Sequence, residues 1–417
     1  MLISVAILIG SYIICNTSIP LPSEMEVLQW HEKLKLYYGA SKDSIPEDVL
    51  LVNVSFDKQL VDYQRHGMPV GQYAITDRQK LFEFLRLAKS ADNYRYILLD
   101  IIFEKGIASP QDSALFHLIS SMDRIVIPAH QDAPLQDNIL YAKSALADYT
   151  ITWLETNFVR FKYIWNGKPT IPLRMYQELD GKNITQHGLL YTSNGWICQN
   201  GLTLQLPVRM ADDVDEKHDE TFMHYNVLQL GADLLAMDSI APIVNEIKGK
   251  IVVIGDFYTD IHDTYAGKMA GSVICLNAYY ALKRGDHVIW GVWGLRMVFY
   301  LLVAFVYFIM VLFYLNGFSL SALTDRLWLK AIISFSSIGF LYWLLAVLGY
   351  MLFDTVYNFW FPVFCFGALE TLLYFQSTYK KIKNAKIKNN DAAHDDFDDS
   401  HGRKLQSAVS EQPSNKN

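Results

Sequence analysis

YILLDIIF, residues 96–103, is a run of apolar and partly β-branched side chains interrupted by a single acid. Its length suits a strand, and the lack of polar alternation marks a strand covered on both faces, as in a parallel sheet. Three further runs share this character: VLLVNVSF (49–56), RIVIPAH (124–130) and GKIVVIGDF (249–257). Between the first run and YILLDIIF, a loop with Gly67, Pro69 and Gly71 leads to Thr76, a suitable helix N-cap. Leu81, Phe82, Leu85 and Leu87 then recur near helical spacing. After Pro110 a short helix is expected around Ala114–Ile119. Strand and helix alternate, which is the rhythm of an α/β domain with a mostly parallel sheet and flanking helices.

The middle of the chain is less regular. ITWLETNFVRFKYIW (151–165) suggests antiparallel β structure, with Trp153, Phe158, Phe161 and Tyr163 available for packing, and IPLRMYQEL (171–179) suggests a helix. ADDVDEKHDE (211–220) reads as a solvated acidic loop, because it lacks the ordered oxygen spacing and glycine turn of a calcium loop. A polar loop from Asp256 to Gly271 precedes a helix from Ser272 to about Lys283, and another helix is expected around Glu24–Leu36.

Apolar residues crowd towards the carboxyl end. Met297–Thr324, Ala331–Phe353 and Thr355–Tyr379 each exceed the ~20 apolar residues that span a hydrocarbon core. The expectation is an all-α membrane bundle of three helices within 289–379. Residues 1–15 add an amino-terminal anchor, shortened at its start; a cleaved signal peptide and lipidation at Cys15 are the rival readings. Lys380, Lys381, Lys383, Lys386 and Lys388 follow the last helix and set that end inside. The α/β domain, 16–288, is then extracytoplasmic, and 380–417 forms a cytoplasmic tail, basic and then disordered. This describes a multi-pass inner-membrane protein in contact with the lipid bilayer. Two polar residues fall within the bundle, Arg296 and Glu370, and a carboxylate at the centre of a membrane helix costs ~2.5–3.5 kcal/mol. Glu370 then has either a structural hydrogen bond inside the bundle or a role in signal coupling.

A net charge of −7 without a basic aromatic patch argues against nucleic acid. Cys198 and Cys275 are the two cysteines of the presumed outer domain, either paired or buried as free thiols. No nucleophile elbow, Walker loop, HExxH or glycine-rich dinucleotide turn occurs, so no catalytic residue, cofactor or metal is assigned. Asp260, His262 and Asp263 fall short of a metal ligand set. The sequons at Asn53 and Asn183 are chance matches.

The strands VNVSFD and LLDIIF, the stretch GKIVVIGDF, the polar loop after it, a glycine, an Asn-containing helix and three terminal apolar segments together resemble the type-2 CHASE family. These are extracellular sensory domains associated with cyclases and histidine kinases. The resemblance covers about 30–375 and is best from Lys250 to Asn277. On it, Asp57, Asp100, Asp112, Gly255, Asp263 and Gly271 match positions the family tends to fill in the same way. GMPVGQYAITDR (67–78) replaces the family's tryptophan-proline segment before the arginine, and Phe257 and Tyr258 stand where small residues are common.

Open α/β sheets bind ligands beyond the carboxyl ends of their strands. The ligand-site candidates are therefore Asp57, Arg78, Asp100, Asp256 and Asp263, with Asp260 and His262 beside them. Asp100, inside its apolar run, should be buried and either hydrogen-bonded or protonated. The function expected is a sensory or ligand-binding protein and not an enzyme. It would recognise a small-molecule or envelope ligand and relay the signal to a separate membrane or cytoplasmic partner, since no output domain follows the last helix. A homodimer is compatible with this. The alternatives are a cell-envelope scaffold and an extracytoplasmic hydrolase.

Overall fold

A computed structural model of the chain describes residues 2–16, 30, 46–65, 68–147, 160–203, 227–230, 241–264, 267–289, 295–315, 339–341, 343–345, 347–348, 361–369, 371–380 and 382–384. In chain order these form α1 (Leu2–Asn16), β1 (Val49–Asn53), β2 (Lys58–Arg65), β3 (Met68–Thr76), α2 (Arg78–Ala91), β4 (Tyr96–Leu99), α3 (Asp112–Ser120) and β5 (Ile125–Ala129). Then come β6 (Ser144–Leu146), β7 (Arg160–Lys162), β8 (Ile164–Trp165), β9 (Lys168–Pro169), α4 (Ile171–Asp180), β10 (Ile184–His187), β11 (Leu190–Ser193), β12 (Trp196–Cys198) and β13 (Gly201–Thr203). The series ends with β14 (Val227–Gln229), α5 (Ala241–Glu246), β15 (Ile251–Gly255), β16 (Ile261–Thr264), β17 (Gly267–Ala270), α6 (Gly271–Arg284) and α7 (Leu295–Leu315).

The four apolar runs become neighbours in a six-stranded sheet of order β14-β1-β15-β4-β5-β6, parallel at every pairing. Alternate residues of each strand enter opposite cores, as the pleat requires. Leu50, Val52, Ile97, Leu99, Ile125, Ile127, Val252 and Ile254 pack with Leu81, Phe84 and Leu85 of α2, Leu115, Phe116 and Ile119 of α3, and Ile243 of α5. Val49, Leu51, Tyr96, Leu98, Val126, Ile251 and Val253 pack with Leu173, Met175 and Tyr176 of α4 and with α6 from Val273 to Leu282. The result is a three-layer α/β/α domain.

Several local expectations change. Asp77 caps α2, its carboxylate accepting from Gln79 N (3.0 Å) and Lys80 N (3.1 Å), because Thr76 is still part of β3. The expected loop around Gly67–Gly71 is largely hairpin: β2 and β3 pair antiparallel, with a register shift at Tyr63/Gln64. Val61 and Ile75 bury that ribbon's inner face. Within 151–165, Arg160–Lys162 pairs antiparallel with β13 and Ile164–Trp165 with β9; Trp153 and Phe158 lie outside the described residues. So do Glu24–Leu36, apart from Trp30, and the acidic stretch 211–220. The polar loop after β15 contains the hairpin β16–β17.

The chain divides into two compact units, one comprising Leu8–Phe305 with Leu344–Asn358 and including the α/β domain. In the other, Met1–Ile7, Val306–Trp343 and Phe359–Asn417, Tyr307 meets Phe366 edge-on with ring centroids 5.7 Å apart.

The membrane bundle and the amino-terminal anchor are corrected: among the described residues, no helix is long and apolar enough to cross a membrane. α1 has 15 residues, about 22 Å of rise. Much of the expected bundle, 316–338 and 349–360 among it, lies outside the described residues. The inner-membrane localisation, the multi-pass topology and the extracytoplasmic placement of the α/β domain rested on those spans and fall with them. Arg296 belongs to α7, but its side chain, like Glu370 altogether, lies outside the described residues.

Candidate functional site

The strand order decides where a ligand fits. β1 and β4 lead on to α2 and α3 on one face of the sheet, whereas β15, between them, leads through β16–β17 to α6 on the other. Loops that part to opposite faces leave crevices at the carboxyl edge, one on each side of β15.

The crevice between β1 and β15 is closed by its own polar groups. Ser55 Oγ lies 2.6 Å from both Asn53 Oδ1 and Asp256 Oδ1. Asp256 Oδ1 also accepts from Tyr258 N (3.1 Å) and Thr259 N (2.8 Å), and Lys58 Nζ donates to Oδ2 at 2.8 Å. Burial pushes the Asp256 carboxyl up, but the bonds from Lys58, Ser55 and Thr259 together outweigh it and hold the group well below the usual carboxylate range. Asp57 is likewise engaged: Lys80 Nζ donates to Oδ1 at 2.7 Å, and its backbone carbonyl accepts from Asp77 N at 2.8 Å. Both acids bind loops together, and their acceptor capacity is largely spent.

The crevice between β15 and β4 differs. Gly255 ends β15 so close to α6 that a Cβ there would lie 2.8 Å from Ser272 Oγ, 3.1 Å from Ser272 Cβ and 3.7 Å from Asp100 Cβ. At the residue before Ser272, a Cβ on Gly271 would lie 2.8 Å from Asp260 Oδ2 and 3.2 Å from His262 Nε2. The two glycines thus let Asp100, Ser272, Asp260 and His262 gather at the amino end of α6. His262 Nε2 lies 3.1 Å from Asp260 Oδ1, and Gly271 N donates to the Asp260 carbonyl at 3.1 Å. Asp100 N is held by Ile254 O at 2.8 Å, but no hydrogen bond reaches its carboxyl oxygens from the described residues. Burial first, and the Asp260 charge second, push the Asp100 carboxyl up to about 7, with His262 acting the other way. Asp100 is densely surrounded yet keeps some accessible surface, so proton exchange with solvent remains open. Ser272 is 1 % exposed, and among the described residues its Oγ has no hydrogen-bond partner. Cys275 faces the same acids one turn further along α6, and burial pushes its thiol well up.

Arg78 is placed elsewhere. It is 1 % exposed, with Nε 3.4 Å from Asp112 Oδ1 and its guanidinium 4.5 Å above the Phe103 ring. Burial lowers it to about 10, with Asp112 opposing the shift. Asp112 Oδ2 in turn accepts from Ser109 N (2.6 Å) and Gln136 Nε2 (3.0 Å). This pair ties α2 to α3. Asp263 is exposed and opposite Lys268 in the β16–β17 register; strand alternation turns it away from the side His262 takes. Of the sequence candidates, therefore, Asp100 joins Asp260 and His262, while Asp57, Arg78, Asp256 and Asp263 do not meet there.

Ser272 was not legible as a site residue, because a serine at a helix start reads as a cap and only the close approach of Gly255 brings it to Asp100. Lys58 and Lys80, which neutralise Asp256 and Asp57, carried no local signal either. Cys198 and Cys275 are both free and buried. Among the described residues no group of three or more His, Cys, Asp or Glu is arranged to hold a metal ion. No protein-family model, curated protein or solved structure matches the chain, so the resemblance to type-2 CHASE domains rests on the motifs quoted above.

Proposed function

We propose that the α/β domain is a sensory module related to the type-2 CHASE domains, that it binds a small ligand in the crevice between β4 and β15, and that its occupancy is relayed to a separate partner. The observation that carries this reading is the buried carboxyl of Asp100 at the point where the loops part, near Asp260, His262 and the Ser272 hydroxyl, with no hydrogen bond to that carboxyl or from that hydroxyl among the described residues. Most buried polar groups in a folded protein are satisfied, and groups left in want of a partner in a cleft mark a site prepared for one. The neighbouring crevice has equally polar residues but satisfies them internally. A ligand in the β4–β15 crevice would touch the start of α6, a helix buried along nearly its whole length, and so would bias one entire layer of the domain.

The test is thermal unfolding of the full chain against a panel of small cations, anions and peptides. A ligand at 100 times its dissociation constant adds ~2.7 kcal/mol. A reproducible shift that disappears in Asp100→Asn supports the reading. A cooperative transition that no compound moves sends it to protein scaffolding.

A further inference from the structure

We infer that the β2–β3 hairpin is a dimerisation arm, and that β3 pairs antiparallel with β3 of a second copy of this chain about a two-fold axis at Gln72. This pairing is independent of whether the β4–β15 crevice binds a ligand.

An edge strand offers a row of backbone donors and acceptors to any other strand, and proteins normally guard such edges with charge. β2 takes one side of β3, and among the described residues no strand takes the other. The nine residues of β3, MPVGQYAIT, carry no charge, whereas β2 carries Lys58, Asp62 and Arg65. Ile75 and Thr76 are buried at the base of the ribbon, and Val70 to Ala74 are exposed without a break. The midpoint of that exposed stretch is Gln72.

Hydrogen-bond parity selects the same centre. Asp77 N donates to Asp57 O at 2.8 Å, and from there the register makes Ile75 with Gln59, and Tyr73 with Val61, the pairs that bond across the ribbon. The amides and carbonyls of Gln72 and Ala74 therefore point to the open edge. A partner centred on Gln72 sets Gln72 against its own copy and Ala74 against Val70, so outward-facing groups meet. A centre on Tyr73 would place groups already bonded to β2 on the axis, and a centre on Ala74 would require the buried Thr76 to pair.

The side chains complement one another in that register. On one face Leu60, opposite Ala74, continues into Val70 of the second copy. On the other, Tyr73, whose ring lies 6.1 Å from that of Tyr63, falls opposite Gly71 of the second copy and covers backbone that the glycine leaves bare. A two-fold contact of this kind is self-complementary and closes at two chains. Leu60, Met68, Val70 and Tyr73 are each more than half exposed. Together they present a patch on the order of 400 Å², about half of what one side of a stable complex buries, so the dimer should be reversible.

The test is analytical ultracentrifugation of the full chain across a range of concentrations in a mild non-ionic detergent. Expected is a monomer–dimer equilibrium whose dissociation constant rises at least ~10-fold in Gln72→Lys, which sets like charges face to face on the axis, and in Gln72→Pro, which removes an outward N–H. Opposed residues of a bonded pair lie about 5.5 Å apart at Cα, within disulfide reach. Gln72→Cys should therefore cross-link on oxidation, while the unaltered chain and Asp263→Cys do not. A chain that stays monomeric overturns the proposal, as does a Gln72→Cys chain that fails to cross-link. A dimer that both Gln72→Lys and Gln72→Pro leave intact overturns it too, and points to association through other exposed apolar side chains such as Leu301 and Phe305 of α7. Should Gln72→Pro not fold, Gln72→Lys and the cross-link decide.

Discussion

Replacing Asp100 by asparagine should stabilise the protein at pH 8 and alter it little at pH 4. In the fold the carboxyl is pushed up to about 7 from an ordinary 3.8, chiefly by burial and then by the charge of Asp260. An unfolded chain ionises Asp100 near its ordinary value. A raised carboxyl binds its proton more tightly in the native state, so the native state gives up ~1.36 kcal/mol for each pH unit between the two values. The cost is nearly absent at pH 4, grows through pH 5 and 6, and levels off above 7 at ~4 kcal/mol; that figure is an upper limit, because the accessible part of Asp100 is screened by solvent. Asparagine is nearly isosteric and carries no charge, so it removes this cost. The assay is urea denaturation of the unaltered chain and Asp100→Asn at half-unit steps from pH 4 to 8.5, followed by a signal from the α/β domain. A stability difference that opens between pH 4 and 7 and then stays flat is expected. A pH-independent difference would mean that the fold leaves the Asp100 carboxyl at its ordinary value, and destabilisation at pH 8 that Asp100 is ionised and paired in the fold; either would refute both the burial argument and the site built on it. Asp260→Asn should recover only the smaller share of the effect, since burial outranks charge among its causes.

Further substitutions probe the surrounding frame. Gly255→Ala drives a methyl to 3.1 Å from Ser272 Cβ, on a helix that cannot retreat, and should cost ~1–3 kcal/mol by chemical denaturation, whereas Gly271→Ala meets the movable end of Asp260 and should cost less. Asp256→Asn should destabilise the protein by ~1–3 kcal/mol at pH 7, because its hydrogen bonds favour the ionised form. Since that carboxyl is held low, its contribution is fully present above about pH 4 and is lost only as acid carries the pH down towards its folded value, so wild type and variant should converge in acid titrations. Arg78→Ala leaves Asp112 buried beside a void and should cost ~3–5 kcal/mol, measured as a lowered midpoint in urea. Cys198 and Cys275 should resist Ellman's reagent in the native protein and react on unfolding, as burial raises both thiols, Cys198 to about 12.

The sequence by itself determined four of the six strands of the central sheet; β6 and β14, three residues each at its two edges, carried no such run. A strand buried on both faces needs an unbroken apolar run, and that requirement is local, so 49–53, 96–99, 125–129 and 251–255 stand out in the chain as they do in the fold. The helices α4 and α6 are similarly local, each an apolar stripe with recognisable ends. The β2–β3 hairpin was hidden because Gly71 and Pro69 look like loop residues, and only the burial of Val61 and Ile75 against the domain makes the ribbon a structure. The apolar segments between 297 and 379 show the limit of composition: hydrophobicity records that a segment avoids water, and among the described residues no helix is long and apolar enough to cross a membrane.

What the tertiary structure alone decided is which acids meet. Asp57, Asp100, Asp256, Asp260 and Asp263 all follow strands or lie near their ends; Asp100 stands out by its place inside an apolar run, but nothing local says which of the others it meets. The sheet inserts β15 between β1 and β4, partners far apart in the chain. On one side of β15 the acids acquire Lys58 and Lys80 and become ties between loops. On the other, Gly255 and Gly271 admit the start of α6 beside Asp100, Asp260 and Ser272, where burial and the Asp260 charge push the Asp100 carboxyl up. A charge is quiet or demanding according to its neighbours across the fold, and those neighbours are set by strand order, which no short stretch of sequence encodes.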